Sequence, residues 1–253
     1  MTSDKCKHQT MRATKFEFEF RFWIICGIYL LAFTLSVFDH TPFIVALRQL
    51  IAPSIVRGTP EAATFARIVI VTGAVLVFLS ATVRTWAAAY LQTAIVHDAS
   101  QHSEALVADG PFRYTRNPLY FGNLPLAVGI GVLASGAGFM FLVLANWIFV
   151  YRLIFREEEA LRQTLGESYR AYLNAVPRFW PALRPRVAPS GRSPRWAQAF
   201  AGEAFVWIFG LAQLSIAVTL NARVGLAVFL LAFASYFIPL QLVRRQRQRT
   251  TDN

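Results

Sequence analysis

Two polar segments of the sequence carry the residue types that could do chemistry, and both border long apolar runs. The first, residues 106–123, places the turn dipeptides Gly110-Pro111 and Asn117-Pro118 among arginines and tyrosines. Pro118 suits the first turn of a helix, where its missing N–H removes no hydrogen bond, and Asn117 is favourable just before that turn. Because the free N–H groups of a helix start attract anions, this segment predicts an anion site or, equally, a capped helix in an interfacial aromatic belt.

The second segment, residues 156–181, begins with three consecutive carboxylates, Glu157, Glu158 and Glu159. Neighbouring side chains of a helix point about 100° apart, so at most two of the three can face a helical bundle. An inward carboxylate could pair with an arginine, accept a hydroxyl hydrogen bond or face a cationic ligand, whereas Glu159 is expected to be solvated. Apolar and aromatic residues then recur on one helical face: Leu161, Leu165, Tyr169 and Tyr172.

The composition around these segments is typical of a membrane protein. Of 253 residues, 55% are hydrophobic and 15% are charged, and the mean hydropathy is +0.42, whereas soluble domains carry about 25% charged residues. Such a chain has too little polar surface for a water-soluble globule and too much apolar surface for disorder. Two cysteines exclude a disulfide scaffold. The net charge is +11, and the charged residues lie between the apolar runs. Membrane lipids, and not nucleic acid, are therefore the expected partners.

The apolar runs predict an all-α, polytopic membrane protein with about six transmembrane helices. The first four spans are expected near residues 22–38, 68–90, 119–134 and 139–155. The third and fourth share a charge-free stretch of 35 residues, which at about 1.5 Å per residue is too long for one crossing of about 30 Å. The turn signal at Ser135-Gly136 divides it.

The order of charges predicts the domain organisation and the orientation. The expected parts are a tail (1–21), a membrane domain (22–181), a basic linker (182–202), a two-helix hairpin (203–243) and a basic tail (244–253). Lysine and arginine divide 21 to 4 between the two sides, and the positive side stays in the cytoplasm. Both termini are therefore expected in the cytoplasm. The alanine- and arginine-rich composition favours a bacterial inner membrane, and Arg84 is expected to reach the interface.

Together, the two polar segments resemble the isoprenylcysteine carboxyl methyltransferase family, whose wider clan includes phospholipid N-methyltransferases. The first segment reads GPFRYTRNPLYFG over residues 110–122, and the second reads EExxLxxxxGxxYxxYxxxVPR over residues 157–178. The resemblance covers roughly residues 68–181. It implies an integral-membrane enzyme with a cytoplasmic cofactor site, which transfers methyl from S-adenosyl-L-methionine to a lipid or lipidated acceptor. The expected reaction is O-methylation of the isoprenylcysteine carboxylate type.

The resemblance also implies which residues form the site. Catalytic roles fall on Arg116, Asn117 and Tyr120; Asn117 replaces a histidine of the family and cannot ionise. The cofactor-binding positions are His97, Glu104, Ala105, Leu106, Val107, Phe112, Asn117, Pro118, Leu119, Tyr120 and Glu157. The family's substrate-binding arginine falls on Leu153 in this sequence. Either the nearby Arg152 or Arg156 replaces it, or the substrate differs. No metal site is predicted.

Methyl transfer from a sulfonium is an in-line displacement, in which positioning and desolvation matter most. A carboxylate such as Glu157 should satisfy the amine or ribose of the cofactor, and Arg116 or the helix start at Asn117 should hold its carboxylate. Leu106, Val107 and Phe112 are expected to hold the adenine. A carboxylate acceptor needs no general base, whereas an amine or hydroxyl acceptor does.

Three alternatives remain open from the sequence. The first is an enzyme like the phospholipid N-methyltransferases. The second is a sterol-reductase-like NADPH enzyme, although residues 117–123 lack the histidine and the final glutamate of that signature. The third is a non-enzymatic membrane protein, which would leave both polar segments unexplained. Small residues of the third span predict either a lateral gap for an acceptor or close helix packing: Gly122, Ala127, Gly129 and Gly131.

Overall fold

A computed structural model of the protein describes residues 12–96, 107–231 and 234. Within these ranges the chain is helical and has no β-strand, only an isolated bridge between Pro42 and Ser135. The all-α fold expected from the apolar runs is therefore confirmed. The helices are α1 (Lys15–Glu19), α2 (Arg21–Thr34), α3 (Phe43–Ile51), α4 (Pro60–Val96), α5 (Pro118–Gly131), α6 (Gly136–Ala175), α7 (Trp196–Thr219) and α8 (Ala222–Leu231).

Three of the described helices, α4, α6 and α7, are long and apolar enough to cross a membrane. The stretches Arg21–Val37 and Ala222–Leu231 are apolar but shorter. Helix α5 has 14 residues, about 21 Å of helix against a hydrocarbon core of about 30 Å. The protein is thus a polytopic membrane protein, whereas the number of six spans stays a prediction. The predicted domain limits also stay predictions; α7 begins at Trp196, within the stretch interpreted as a linker.

Helix α4 lies at the centre of the bundle, with α5 on one side and α7 on another. Small residues allow the helices to approach closely, because a Cβ on Gly129 of α5 would lie 2.5 Å from the carbonyl oxygen of Gly73 in α4. Helix α7 joins the same contact, where the Nε2 of Gln213 donates to the Gly129 carbonyl at 2.8 Å. Of the two interpretations of the third span's small residues, close packing is the one found at Gly129.

A short connection, residues 132–135, turns the chain from α5 into α6. The Ser135 hydroxyl caps α6 by accepting from the N–H of Gly138 at 3.1 Å. Asp39 adds a second cap, since its Oδ2 accepts from the N–H of Ala137 at 2.7 Å. Helix α3, which the sequence analysis did not predict, follows Asp39 and packs beside this turn, where Phe43 stacks on Phe139 at 3.9 Å.

Helix α6 carries the second polar segment to the first. It continues without a chain break past the predicted span to Ala175, with non-helical backbone at Gly166. Beyond Gly166 it buries Tyr169 and Tyr172, and the Tyr172 hydroxyl donates to the carbonyl of Phe112 at 2.7 Å. We call the end of the bundle where residues 107–118 meet residues 157–192 the motif end.

Candidate functional site

Glu158 is the centre of a buried ion cluster at the motif end, and its side chain is only 4% exposed. Its Oε2 accepts from the Nε of Arg178 at 2.9 Å. Its Oε1 lies 3.0 Å from the Nε of Arg116, but that N–H is not directed at the oxygen, so this contact is an ion pair without a hydrogen bond. Asn117 donates from Nδ2 to the same Oε1 at 3.1 Å and to the Arg178 carbonyl at 2.9 Å. One buried carboxylate therefore joins both polar segments.

Arg116 and Asn117 are both engaged inside the protein. The Nη1 of Arg116 donates to the Leu173 carbonyl at 2.8 Å, and its backbone N–H donates to the Pro177 carbonyl at 2.9 Å. The Asn117 side chain turns to Glu158 and makes no capping hydrogen bond to α5. Arg116 is thus neutralised by Glu158, and the first turn of α5 keeps its affinity for an anion. The catalytic roles of these residues stay predictions.

Glu157 points to a different partner, although it directly precedes Glu158. The hydroxyl of Tyr120 donates to its Oε1 at 2.9 Å. Among the described residues Glu157 forms no ion pair, and Arg21 acts on its charge without making one. A half-buried carboxylate with a neutral hydroxyl partner can accept further hydrogen bonds from a cationic ligand.

The two arginines expected to bind substrate are held by the N-terminal segment, residues 12–19. The Nη2 of Arg152 donates to both carboxylate oxygens of Glu17, at 3.0 and 2.8 Å. The Nη1 of Arg156 donates to the carbonyl of Ala13 at 3.0 Å. Ala13 is buried in a cluster that also includes Tyr120, so both arginines lie on the Tyr120 side of α6. Their substrate-binding role stays a prediction.

The pair of Glu17 and Arg152 should make the N-terminal segment sensitive to acid. The hydrogen bond from Arg152 lowers the pKa of Glu17 from 4.5 to about 2. A lowered pKa contributes stability that is present above pH 4.5 and is lost as the pH falls towards 2. We expect Glu17→Gln to unfold at a lower temperature than wild type near neutral pH, with the difference vanishing in strong acid.

Thermal unfolding in detergent across this pH range measures the effect. Glu19→Gln is the control, because Glu19 pairs only loosely with the exposed Lys15 at 3.8 Å and should change little. A difference between Glu17→Gln and wild type that persists unchanged in acid would contradict the ion pair.

Several residues assigned to the adenosine site can be placed. Phe112 is buried in a 3₁₀ helix, Gly110–Arg113, and Val107 lies at the start of the same stretch. Gly110 has φ +54, and a Cβ there would collide with the Tyr90 ring of α4. The stretch is therefore packed tightly against α4. The remaining assigned positions of this strip lie outside the described residues: His97, Glu104, Ala105 and Leu106.

Asp109 of the first polar segment binds residues 190–192, which follow α6 in the chain. The sequence analysis did not predict this contact. The Asp109 carboxylate accepts from the N–H groups of Ser190, Gly191 and Arg192 at 2.8, 3.3 and 3.3 Å, and from the Ser190 hydroxyl. Burial acts to raise the pKa of Asp109, but these hydrogen bonds outweigh it and hold the pKa below its usual value. Part of the predicted linker, residues 182–202, is thus hydrogen-bonded to the motif end.

A second buried polar group lies between α4, α5 and α7. The Nε and Nη2 of Arg84 donate to the two carboxylate oxygens of Glu203 at 2.8 and 3.1 Å, and Nη1 donates to the Oδ1 of Asn123. The guanidinium of Arg84 is thus paired within the bundle, and the expectation that it reaches the membrane interface stays a prediction. Within the part of the chain that the structure describes, no three histidine, cysteine or acidic side chains group as a metal site.

Part of the chain that includes the candidate site matches a known protein family. Residues 64–168 match the family model of phospholipid methyltransferases. The matched stretch includes Arg116, Asn117, Tyr120 and Glu157. It therefore contains the predicted catalytic positions and the carboxylate that faces Tyr120.

Three curated proteins are similar to part of the chain. Protein-S-isoprenylcysteine O-methyltransferase of Dictyostelium discoideum is 33% identical over 88 residues, which is 33% of this chain and 36% of that protein. Cobalt-zinc-cadmium resistance protein CzcN of Cupriavidus metallidurans is 24% identical over 100 residues, 40% of this chain and 43% of that protein. Nickel-cobalt-cadmium resistance protein NccN of Alcaligenes xylosoxydans xylosoxydans is 26% identical over 100 residues, 40% and 44% of the two chains.

The family match and the Dictyostelium relative confirm the resemblance to the membrane methyltransferases of the isoprenylcysteine and phospholipid clan. The chain spans less than half the length of each of these relatives. No solved structure matches.

Proposed function

We propose that the protein is an S-adenosylmethionine-dependent membrane methyltransferase that acts on a lipid or lipidated acceptor. The observation that carries this proposal is the pair of Glu157 and Tyr120, which lies within the matched residues 64–168. The carboxylate is half-buried, accepts one described hydrogen bond and is not neutralised by an ion pair within the described chain. Such a group is suited to the ammonium or ribose hydroxyl groups of a cationic cofactor.

The charged and polar groups of the motif end are complementary to those of S-adenosylmethionine. Glu157 would hold its amine or ribose. The first turn of α5 would hold its carboxylate, because Asn117 leaves that turn without a side-chain cap. Val107 and the ring of Phe112 would form a wall for the adenine. When bound, the cofactor supplies an activated methyl group, and these residues position it and exclude water.

The acceptor class is supported by the setting of the site. Glu157 lies on α6, one of three described helices able to cross a membrane, which fits an acceptor carried by a lipid. A carboxylate acceptor needs no proton to be removed, and Asn117, which cannot ionise, is compatible with that reaction. We therefore favour O-methylation of the isoprenylcysteine carboxylate type.

N-methylation of a phospholipid is the second candidate, and the name of the matched family favours it. An amine acceptor must lose a proton. The Glu157 carboxylate, which the Tyr120 hydroxyl contacts at 2.9 Å, is the described group best placed to accept that proton.

The cofactor proposal predicts a loss of affinity in Glu157→Gln. Losing a hydrogen bond to a charged group should weaken S-adenosylmethionine binding by about 1–3 kcal/mol, roughly 5- to 150-fold in Kd. Calorimetry on the detergent-purified full chain measures it. Glu159→Gln is the matched control, because Glu159 is the adjacent carboxylate and pairs loosely with Arg12 and Arg162 at 3.4 and 3.7 Å.

Two outcomes would count against this assignment. Equal affinity in wild type and Glu157→Gln would remove Glu157 from the site, and absence of binding in wild type would overturn the proposed function. Membranes incubated with radiolabelled S-adenosylmethionine then identify the acceptor class, because the label enters either the lipid or the protein fraction.

We further propose that the motif end and both termini face the cytoplasm, as the 21-to-4 distribution of lysine and arginine indicates. A reporter that is active only in the periplasm should be inactive when fused after Asn253. The same reporter fused after Asn221, between α7 and α8, should be active. The opposite pattern would reverse the orientation.

A further inference from the structure

We propose that a buried polar cluster binds the oxygen-bearing head group of a lipid acceptor, through hydrogen bonds donated to a carbonyl or carboxylate oxygen. The inference rests on the proposed function and adds to it a place for the acceptor. The cluster lies between α2, α4, α5 and α7, and we name it the Arg84 cluster. Its members are Tyr29, Ser80, Arg84, Asn123 and Glu203.

Two hydroxyl groups of the Arg84 cluster are buried without a hydrogen-bond partner among the described residues. They are the hydroxyl of Tyr29 and the Oγ of Ser80, and Ser80 is 0% exposed. A buried polar group without a partner costs about 1–3 kcal/mol. Two such hydroxyls in the part of the bundle that holds Arg84 point to a ligand as the missing partner.

The two unpartnered hydroxyls belong to residues of α2 and α4 that pack in the same part of the bundle as Arg84. Ser80 and Arg84 are one turn apart on α4 and share a face. Both border Gly122 of α5, because a Cβ on Gly122 would lie 2.5 Å from the Arg84 Cγ and 3.6 Å from the Ser80 carbonyl oxygen. Tyr29 packs against the core cluster that contains Ala81 of α4.

The chemistry of the free groups defines the ligand. Arginine has five N–H donors, and the described contacts of Arg84 use one each on Nε, Nη1 and Nη2. One N–H on Nη1 and one on Nη2 are left, together with the hydroxyl donors of Tyr29 and Ser80. A site that offers mainly donors calls for a ligand with acceptor oxygens. Because Glu203 already balances the charge of Arg84, a neutral carbonyl needs no further counterion, whereas a carboxylate would add a net negative charge to the cluster.

The position of the cluster suits a methyl acceptor. Asn123 follows Tyr120 by three residues on α5, so it lies about 4.5 Å further along the helix from the motif end. The cluster is thus the next polar layer below the pair of Tyr120 and Glu157. Tyr29 and Glu203 lie outside the matched residues 64–168, so this chain's own flanking helices complete the site.

The test uses Tyr29→Phe and Ser80→Ala, which remove only hydroxyls that lack a described partner. Neither variant should lower the unfolding temperature, because each removes a buried unsatisfied group. The full chain is reconstituted into vesicles of bacterial total lipid and supplied with radiolabelled S-adenosylmethionine. We expect each variant to reduce label in the lipid fraction at least about fivefold, the size of one lost hydrogen bond, with unchanged cofactor affinity by calorimetry.

Two matched controls separate binding from packing. Ser215→Ala removes a hydroxyl that is satisfied by the Ala212 carbonyl at 2.7 Å. Trp207→Phe removes the 3.0 Å bond from the Trp207 Nε1 to Thr85, which joins α4 and α7 outside the cluster. Both controls should retain the lipid labelling of wild type.

Each contrary result has a defined meaning. Unchanged lipid labelling in Tyr29→Phe and Ser80→Ala would overturn the acceptor site, as would an equal loss in Trp207→Phe. If wild type binds S-adenosylmethionine but no label enters lipid, the acceptor site is overturned and the cofactor site stands. If wild type binds no S-adenosylmethionine, the proposed function and this inference both fail.

Discussion

Glu158→Gln is expected to lower the stability of the protein by about 3–5 kcal/mol, the usual effect of removing one partner from a buried ion pair. The Glu158 side chain is 4% exposed and the Arg116 side chain 8%, whereas Arg178 is 38% exposed. After the substitution Arg178 can regain water, but Arg116 remains as a buried charge without a counterion. The two polar segments would lose one of the contacts that join them and keep others, such as the hydrogen bond from Tyr172 to Phe112.

Chemical unfolding of the purified protein in detergent measures this loss. Glu167→Gln is the matched control on the same helix, because Glu167 and Arg170 are 85% and 62% exposed at 3.2 Å and such a pair contributes about 0–1 kcal/mol. The double variant Arg116→Met, Glu158→Met should recover part of the loss, since apolar replacement of both partners is often tolerated. Unchanged stability in Glu158→Gln would show that the ion cluster does not join the segments.

The three consecutive glutamates show what sequence spacing can predict about a site and what it cannot. Their 100° separation predicted that at most two face inward, and the structure turns Glu157 to Tyr120 and Glu158 to two arginines. Which glutamate meets which partner depends on the rotation of α6 against α5. The four-residue connection between these helices and its caps set that rotation, and the spacing of the glutamates carries no information about it.

Contacts between distant parts of the chain were not predicted either, because local sequence patterns carry no information about long-range partners. Arg84 and Glu203 are 119 residues apart, and each alone was compatible with a residue at the end of a span. Asp109 directly precedes the turn dipeptide Gly110-Pro111, and nothing in that pattern predicts that it binds residues 190–192. Helix α3 has nine residues, too few for apolar periodicity to distinguish a helix from a connection. Local patterns therefore predicted the helices and the paired motifs. The long-range contact partners of individual residues could be identified only from the folded structure.

Close packing at Gly129 leads to the second large expected effect. A Cβ at this position would lie 2.5 Å from the Gly73 carbonyl oxygen and 2.8 Å from the Val77 Cγ2. The first of these is a backbone atom of α4, which cannot rotate away. Overpacking typically costs about 1–3 kcal/mol and occasionally more, and the backbone collision places Gly129→Leu at the upper end of that range.

We therefore expect Gly129→Leu to lower the unfolding temperature strongly and to lose cofactor binding together with methyl transfer, because α4 and α5 must move apart. Gly27→Leu is the matched control, since nothing lies within 4 Å of a Cβ added to Gly27 of α2, and it should unfold like wild type. Thermal unfolding and calorimetry with S-adenosylmethionine on both variants decide the outcome. A folded Gly129→Leu that binds the cofactor but transfers no methyl group would instead restore the interpretation of Gly129 as part of a lateral gap for the acceptor.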